Sequence, residues 1–285
     1  MSGAHMLETR SYITVGQENS TPIDLFYEDH GSGKPVVLIH GYPLNGASWE
    51  KQTAALLAAG HRVITYDRRG FGKSSKPATG YDYDTFAEDL HRVVTTLDLR
   101  DFSLAGFSMG GGEVARYLGK YGSAGVRKAV ILGGIPPYLL KTADNPEGVD
   151  GSVFAEIKAA VTGDRYAFFT EFFKNFYNTD ELMGQRVSEA AVQASWQVAA
   201  GCSAAAAVAC VPTWLTDFRA DVDRIDVPTL VMHGDADRIV PISASGARTA
   251  RLIKGARWVV VKGGPHFITW THSEIVNQEL VKFLE

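Results

Sequence analysis

The sequence predicts an α/β fold, a mostly parallel sheet flanked by helices, and three observations carry it. Short β-branched apolar runs recur along the chain, each ending in a glycine or turn signal. Their apolar residues are consecutive rather than alternating, the pattern of strands covered on both faces. Segments of helical period lie between them, and such alternation implies right-handed crossovers onto a parallel sheet.

The elements follow in chain order. "SYITV" and "IDLFYED" read as an antiparallel pair at the sheet edge, joined by a polar loop. The apolar strands are then Val36–Gly41, Arg62–Asp67, Phe102–Phe107 and Ala129–Gly134, followed much later by Thr229–Gly234 and Trp258–Gly264. Phe86, Leu90, Val93, Val94 and Leu97 fall on one face of a helix over Tyr83–Leu97. Ile275, Val276, Leu280 and Phe283 do the same near the end of the chain. Between about Tyr138 and Pro212 no strand pattern appears. This stretch holds the aromatic-rich "YAFFTEFFKNFYN" and the small-residue run "AAGCSAAAAVAC", with Pro136-Pro137 and Pro212 as breakers at its ends. It reads as a helical cap, residues 138–212, inserted after the sixth strand of a core formed by 8–137 and 213–285. Ligand sites lie at the carboxyl ends of parallel strands, so an insertion there covers a pocket. Residues 1–7 read as an expression scar and chain start.

Composition narrows the partners. The 285 residues are 45% apolar and 21% charged, with a formal net charge of −4. Scattered charges of both signs, with no basic cluster, point to neither nucleic acid nor an anionic membrane. No apolar run reaches bilayer-spanning length, and no secretory apolar stretch stands at the N-terminus, so the expected location is cytoplasmic. Cys202 and Cys210 on one continuous helix would sit about 12 Å apart, beyond the roughly 7 Å of a disulfide, and read as buried reduced thiols. No Cys/His spacing suggests a metal site.

The chemistry concentrates in Gly106-Phe107-Ser108-Met109-Gly110, a G-x-S-x-G pattern between a strand and the helix-compatible Glu113–Tyr121. A sharp strand-to-helix turn would present Ser108 at its tip, beside a helix N-terminus that favours negative charge. Gly111 and Gly112 weaken the helix start, at about 1 kcal/mol each relative to alanine. A serine hydroxyl needs a base, and the base a carboxylate. The order serine, acid, histidine is met by "HGDADRIVP" and "GGPHF", each after a strand, which supply Asp237 and His266. Asp235 is the other candidate acid, but its place directly after Gly234 suits a turn residue. His40 and His233 end strands beside glycine and read as loop-packing residues. The oxyanion donors would be the backbone N–H groups of Met109, after the nucleophile, and Tyr42, in the loop after the third strand. Candidate substrate-pocket residues are Trp49, Phe107, Tyr138, Phe172, Phe176, Trp214 and Phe267, with Tyr42; each also reads as a core side chain.

"HGYPLNGASW", "YDRRGFGKSS", "GFSMGGGEVARY", "NFYN" and "HGDADRIVP" together resemble the cofactor-free bacterial haloperoxidase group of serine hydrolases, which includes perhydrolases, aryl esterases and a γ-lactamase. The resemblance spans nearly the whole chain. It implies an eight-stranded α/β-hydrolase core with a helical cap, the triad Ser108, Asp237 and His266, and oxyanion donors at Tyr42 and Met109. It implies hydrolysis of small esters through an acyl-enzyme, extending to lactones or lactams. With hydrogen peroxide it implies peracid formation, which oxidises halide without metal, haem or other cofactor. Pro43 stands where a proline is associated with perhydrolysis in such enzymes. The partner would be a small acyl substrate, and related enzymes form trimers or larger homo-oligomers. An acyltransferase, a carbon–carbon bond hydrolase on the same triad, or a slow-turnover ligand sensor are the alternatives. Haloalkane dehalogenases and epoxide hydrolases differ, because they carry aspartate where this chain has Ser108.

Overall fold

A computed structural model describes residues 11–285; the scar and start expected at 1–7 lie outside the described residues. Eight strands form one sheet: β1 (Tyr12–Glu18), β2 (Thr21–His30), β3 (Pro35–Ile39), β4 (Arg62–Tyr66), β5 (Phe102–Phe107), β6 (Val126–Leu132), β7 (Thr229–Gly234) and β8 (Arg257–Val261). Their spatial order is β1-β2-β4-β3-β5-β6-β7-β8. The pairs β1–β2 and β2–β4 are antiparallel and every later pair is parallel. The sheet is thus the expected one, with the antiparallel pair at its edge.

Burial explains the consecutive apolar residues. Every residue of β5 and β7 is buried, because helices cover both faces. The exception is β8. The sequence reads as a strand covered on both sides, yet Val260 is exposed and Trp258 and Val259 are half-buried. It is the last strand of the sheet, with a neighbour on one side only.

The helices are α1 (Glu50–Ala58), α2 (Tyr83–Thr96), α3 (Met109–Tyr121), α4 (Gly151–Tyr177), α5 (Thr179–Leu182), α6 (Glu189–Ala200), α7 (Ala204–Thr213), α8 (Arg219–Val222), α9 (Gly246–Leu252), α10 (Ile268–Thr271) and α11 (Ser273–Leu284). The Asp82 side chain accepts from the Thr85 N–H and starts α2. Its apolar face buries Phe86, Leu90, Val93 and Val94. Full burial of such side chains contributes about 1.5–3 kcal/mol each.

The helix after the serine begins at Met109, not at Glu113, so its first turn holds three glycines. Close approach is the reason. A Cβ on Gly106 would come within 2.2 Å of the Gly110 carbonyl, and one on Gly110 within 2.2 Å of the Ile39 carbonyl. The glycines let α3 lie directly on β3 and β5, which outweighs their poor helix propensity.

Between β6 and β7 the chain runs through α4 to α8 and adds no strand to the sheet. The aromatic-rich stretch forms the second arm of α4, which breaks at Asp164 (φ −153°, ψ 92°). Asp164 Oδ1 accepts from the Tyr166 and Ala167 N–H groups, both at 3.0 Å, and so caps the second arm. Pro212, read as a breaker, lies inside the last turn of α7. Cys202 precedes α7 and Cys210 lies within it, so the single helix assumed for the pair is absent. Both are free and buried. Burial pushes the Cys202 thiol up to about 11 and that of Cys210 up to about 12. Among the described residues no single helix is long and apolar enough to cross a membrane.

Candidate active site

Three strand ends bring the candidate residues together. Ser108 follows β5, Asp237 lies in the loop after β7, and His266 follows β8. The Ser108 hydroxyl donates to His266 Nε2 at 2.8 Å. His266 Nδ1–H donates to Asp237 Oδ2 at 2.7 Å. Ser108 holds φ 54° and ψ −118°, a strained backbone that costs about 1–3 kcal/mol. That strain is the local signature of a serine held at the tip of a tight strand-to-helix turn.

The Asp237 carboxylate is held from several sides. Its Oδ1 accepts from the N–H groups of Ile239 at 2.9 Å and Val240 at 2.8 Å. Burial alone would push this carboxyl up. The charge of His266 and hydrogen bonds from His233 and His266 outweigh it, and hold the carboxyl well below the ordinary carboxylate range. Asp235 faces elsewhere. It accepts from the Gly263 N–H at 2.6 Å, and Lys262 Nζ lies 3.7 Å from it.

The Met109 N–H is the first of α3 and the Tyr42 N–H follows β3. Among the described residues neither donates in a turn or loop hydrogen bond. The direction of the Tyr42 N–H is set by its own peptide plane. The Gly41 carbonyl at the other end accepts from His40 Nδ1–H at 2.9 Å and the Leu44 N–H at 3.0 Å. In a trans peptide, C=O and N–H point opposite ways. His40 is therefore more than a loop-packing residue. Its Nε2 accepts from the Arg68 N–H at 2.9 Å, and Arg68 Nη2 donates to the His40 carbonyl at 2.9 Å. Burial first, then the Arg68 charge, pushes His40 far down, so it stays neutral. The Arg68 guanidinium pairs with Glu113 of α3 at 2.7 Å, both fully buried, and the Tyr66 hydroxyl donates to the same carboxylate.

A cavity of about 350 Å³ opens onto Ser108. Val153, Phe154 and Ile157 line it from the first arm of α4, and Phe168 and Phe172 from the second. Ile239, Val240 and Pro241 close it behind the acid. Of the pocket residues expected from sequence, Tyr42, Phe172 and Trp214 line the cavity. Trp49, Phe107, Tyr138, Phe176 and Phe267 do not. Phe107 and Phe176 pack on the His266 ring at 5.0 and 5.1 Å, and Phe267 packs on both of them. Trp49 is buried edge-on to Phe107, and Tyr138 lies beneath the Arg219 guanidinium. These rings brace the histidine or the core, while aliphatic residues such as Ile135, Leu139, Val149 and Ile157 form the largest part of the wall. Nothing in their sequence context marks those aliphatic residues as lining.

The profile of the alpha/beta hydrolase fold family matches residues 34–273. The chain belongs to that family. It is 42% identical over 265 residues to the non-heme chloroperoxidase CPO-A1 of Kitasatospora aureofaciens, covering 92% of this chain and 96% of that protein. It is 34% identical over 265 residues to the bifunctional esterase/perhydrolase DCH of Acinetobacter calcoaceticus, with the same coverage. The crystal structure of bromoperoxidase from Bacillus anthracis superposes with a TM-score of 0.92 at 47% identity, over 96% of this chain and 98% of that one. An enzyme of the hydrolase type is therefore the frame for the chemistry of Ser108.

Proposed function

We propose that the protein is a serine hydrolase of small carboxylic esters, with Ser108 as nucleophile, His266 as base and Asp237 as its orienting acid. The continuous Ser108–His266–Asp237 hydrogen-bond chain at the wall of an apolar cavity carries this reading. Ser108 Oγ attacks the ester carbonyl while His266 Nε2 takes its proton. The Met109 and Tyr42 N–H groups stabilise the oxyanion. The tetrahedral species collapses, His266 returns the proton to the leaving alcohol, and an acyl-serine remains. Water, deprotonated by His266, then releases the carboxylic acid. Hydrogen peroxide in place of water releases a peracid, which transfers one oxygen to halide and leaves the carboxylate and hypohalous acid. The names of the chloroperoxidase, bromoperoxidase and perhydrolase relatives support this second outcome.

In this reading residues 138–212 cap the cavity, and the core comprises 8–137 and 213–285. The substrate is an uncharged acyl compound, because among the described residues the charged lining groups are already paired, Arg238 with Asp180 and Glu181, and Glu171 with Lys174. Turnover of p-nitrophenyl acetate and formation of peracetic acid from acetic acid and peroxide, both abolished in Ser108→Ala, test the proposal. Oxidation that survives Ser108→Ala would show chemistry independent of the acyl-serine.

A further inference from the structure

Asp237 meets two imidazoles. Its Oδ2 accepts from His266 at 2.7 Å, and His233 Nε2 lies 3.0 Å from the same oxygen. His233 Nε2 also lies 2.9 Å from the Val240 carbonyl. A ring nitrogen facing two acceptor oxygens carries the proton, so one N–H serves both in a three-centre arrangement. The side chains of His233 and Asp237 are fully buried. His233 Nδ1 has no partner, and the ring stands so close to Gly246 that a Cβ there would come within 2.4 Å of it. A buried unpaired acceptor is unfavourable, and an aliphatic side chain would fill the space without it. The observation that singles out histidine here is what its Nε2 faces.

We propose that His233 is a positioning residue for the ester-cleaving reaction, its Nε2–H holding Asp237 Oδ2 at the angle from which that oxygen meets His266. This rests on the reading of Asp237 as the acid of the triad. Backbone N–H groups restrain Oδ1, so His233 supplies the corresponding restraint on Oδ2. It also withdraws negative charge from the oxygen that faces His266. Other charged groups near the site are engaged elsewhere. Arg238 is turned to Asp180 and Glu181, and Asp235 accepts from the Gly263 N–H beside Lys262. Without His233 the carboxylate becomes more basic and less restrained. It then favours the protonated imidazole of His266 more strongly, and the acid limb of kcat/KM moves to higher pH.

The wild-type protein gives the first measurement. Long-range ¹H–¹⁵N spectra of the histidines should show His233 as the Nε2–H tautomer; an Nδ1–H tautomer would overturn the proposal. In His233→Leu, kcat should fall about tenfold with KM within about twofold, and the acid limb should rise by about half a pH unit. His233→Gln places an amide N–H where the imidazole Nε2–H stood, and should return both quantities close to wild type. Wild-type kinetics in His233→Leu, or a glutamine variant no better than the leucine one, would refute the role. If the leucine variant does not fold, the spectrum and the glutamine variant decide. Asp237→Asn measured alongside separates the two readings: full activity there would remove the acid itself, whereas the His233 tautomer is read independently of turnover.

Discussion

The backbone N–H of Arg68 donates to Nε2 of His40, and this single bond fixes the tautomer that lets His40 Nδ1–H hold the Gly41 carbonyl. A residue that touches no substrate thereby aims the N–H of Tyr42. In His40→Leu the carbonyl loses its side-chain donor. Activity should fall at least about tenfold in kcat with little change in KM, because loss of an oxyanion donor costs up to about 10³-fold. Steady-state kinetics on p-nitrophenyl acetate read this directly.

Arg68→Met leaves Glu113 as a buried, unpaired carboxylate. Breaking a buried pair from one side costs about 3–5 kcal/mol, measurable as a lower urea midpoint. The double variant Arg68→Met/Glu113→Leu should recover much of that loss, since no bare charge remains.

Asp237→Asn should lower kcat by about 10⁴-fold, because the amide cannot hold the histidine in the working tautomer. Asp235→Asn, which affects only the loop contact to Gly263 and the surface approach of Lys262, should stay within about twofold of wild type. Equal losses in the two variants would mean that the acid has been assigned to the wrong aspartate.

The depressed Asp237 carboxyl sets the form of the pH profile. A carboxyl held lower in the folded state stabilises the fold above its unfolded value of about 3.9 and loses that contribution progressively as pH falls from there through the folded value. Between about pH 4 and 8 Asp237 therefore stays ionised and adds no titration of its own to the acid limb. The acid limb of log kcat/KM should fall with a limiting slope of one. A slope of two above about pH 4 would mean that the carboxyl titrates in the same range.

Ile157→Trp places a large ring in the cavity wall contributed by the first arm of α4. Acetyl esters should retain most of their kcat/KM while bulky acyl esters lose at least about tenfold, which a substrate series would reveal.

The alternation of buried strands and amphipathic helices made the sheet legible, because period and burial are local properties of the chain. The meeting of Ser108, Asp237 and His266 was legible for a related reason: each lies in the loop or turn that follows a strand. The pocket was not. Phe107, Phe176 and Phe267 look like lining residues in sequence, but their rings are spent on His266 and on one another. Which face of an aromatic helix meets a cavity depends on the break at Asp164, and no periodicity encodes that angle. His40 was undervalued because its partner Arg68 is chosen by tertiary contact, and His233 because only the folded loop after β7 turns Asp237, four residues on, back to its ring.

The interruption of α4 at Asp164 has a consequence for how this scaffold diversifies. Both arms that face the serine come from one continuous stretch, remote along the chain from Ser108, Asp237 and His266. Selection or a designer can therefore retune which molecules are admitted by editing the lining positions of that stretch, provided Phe176, which packs on His266, is kept.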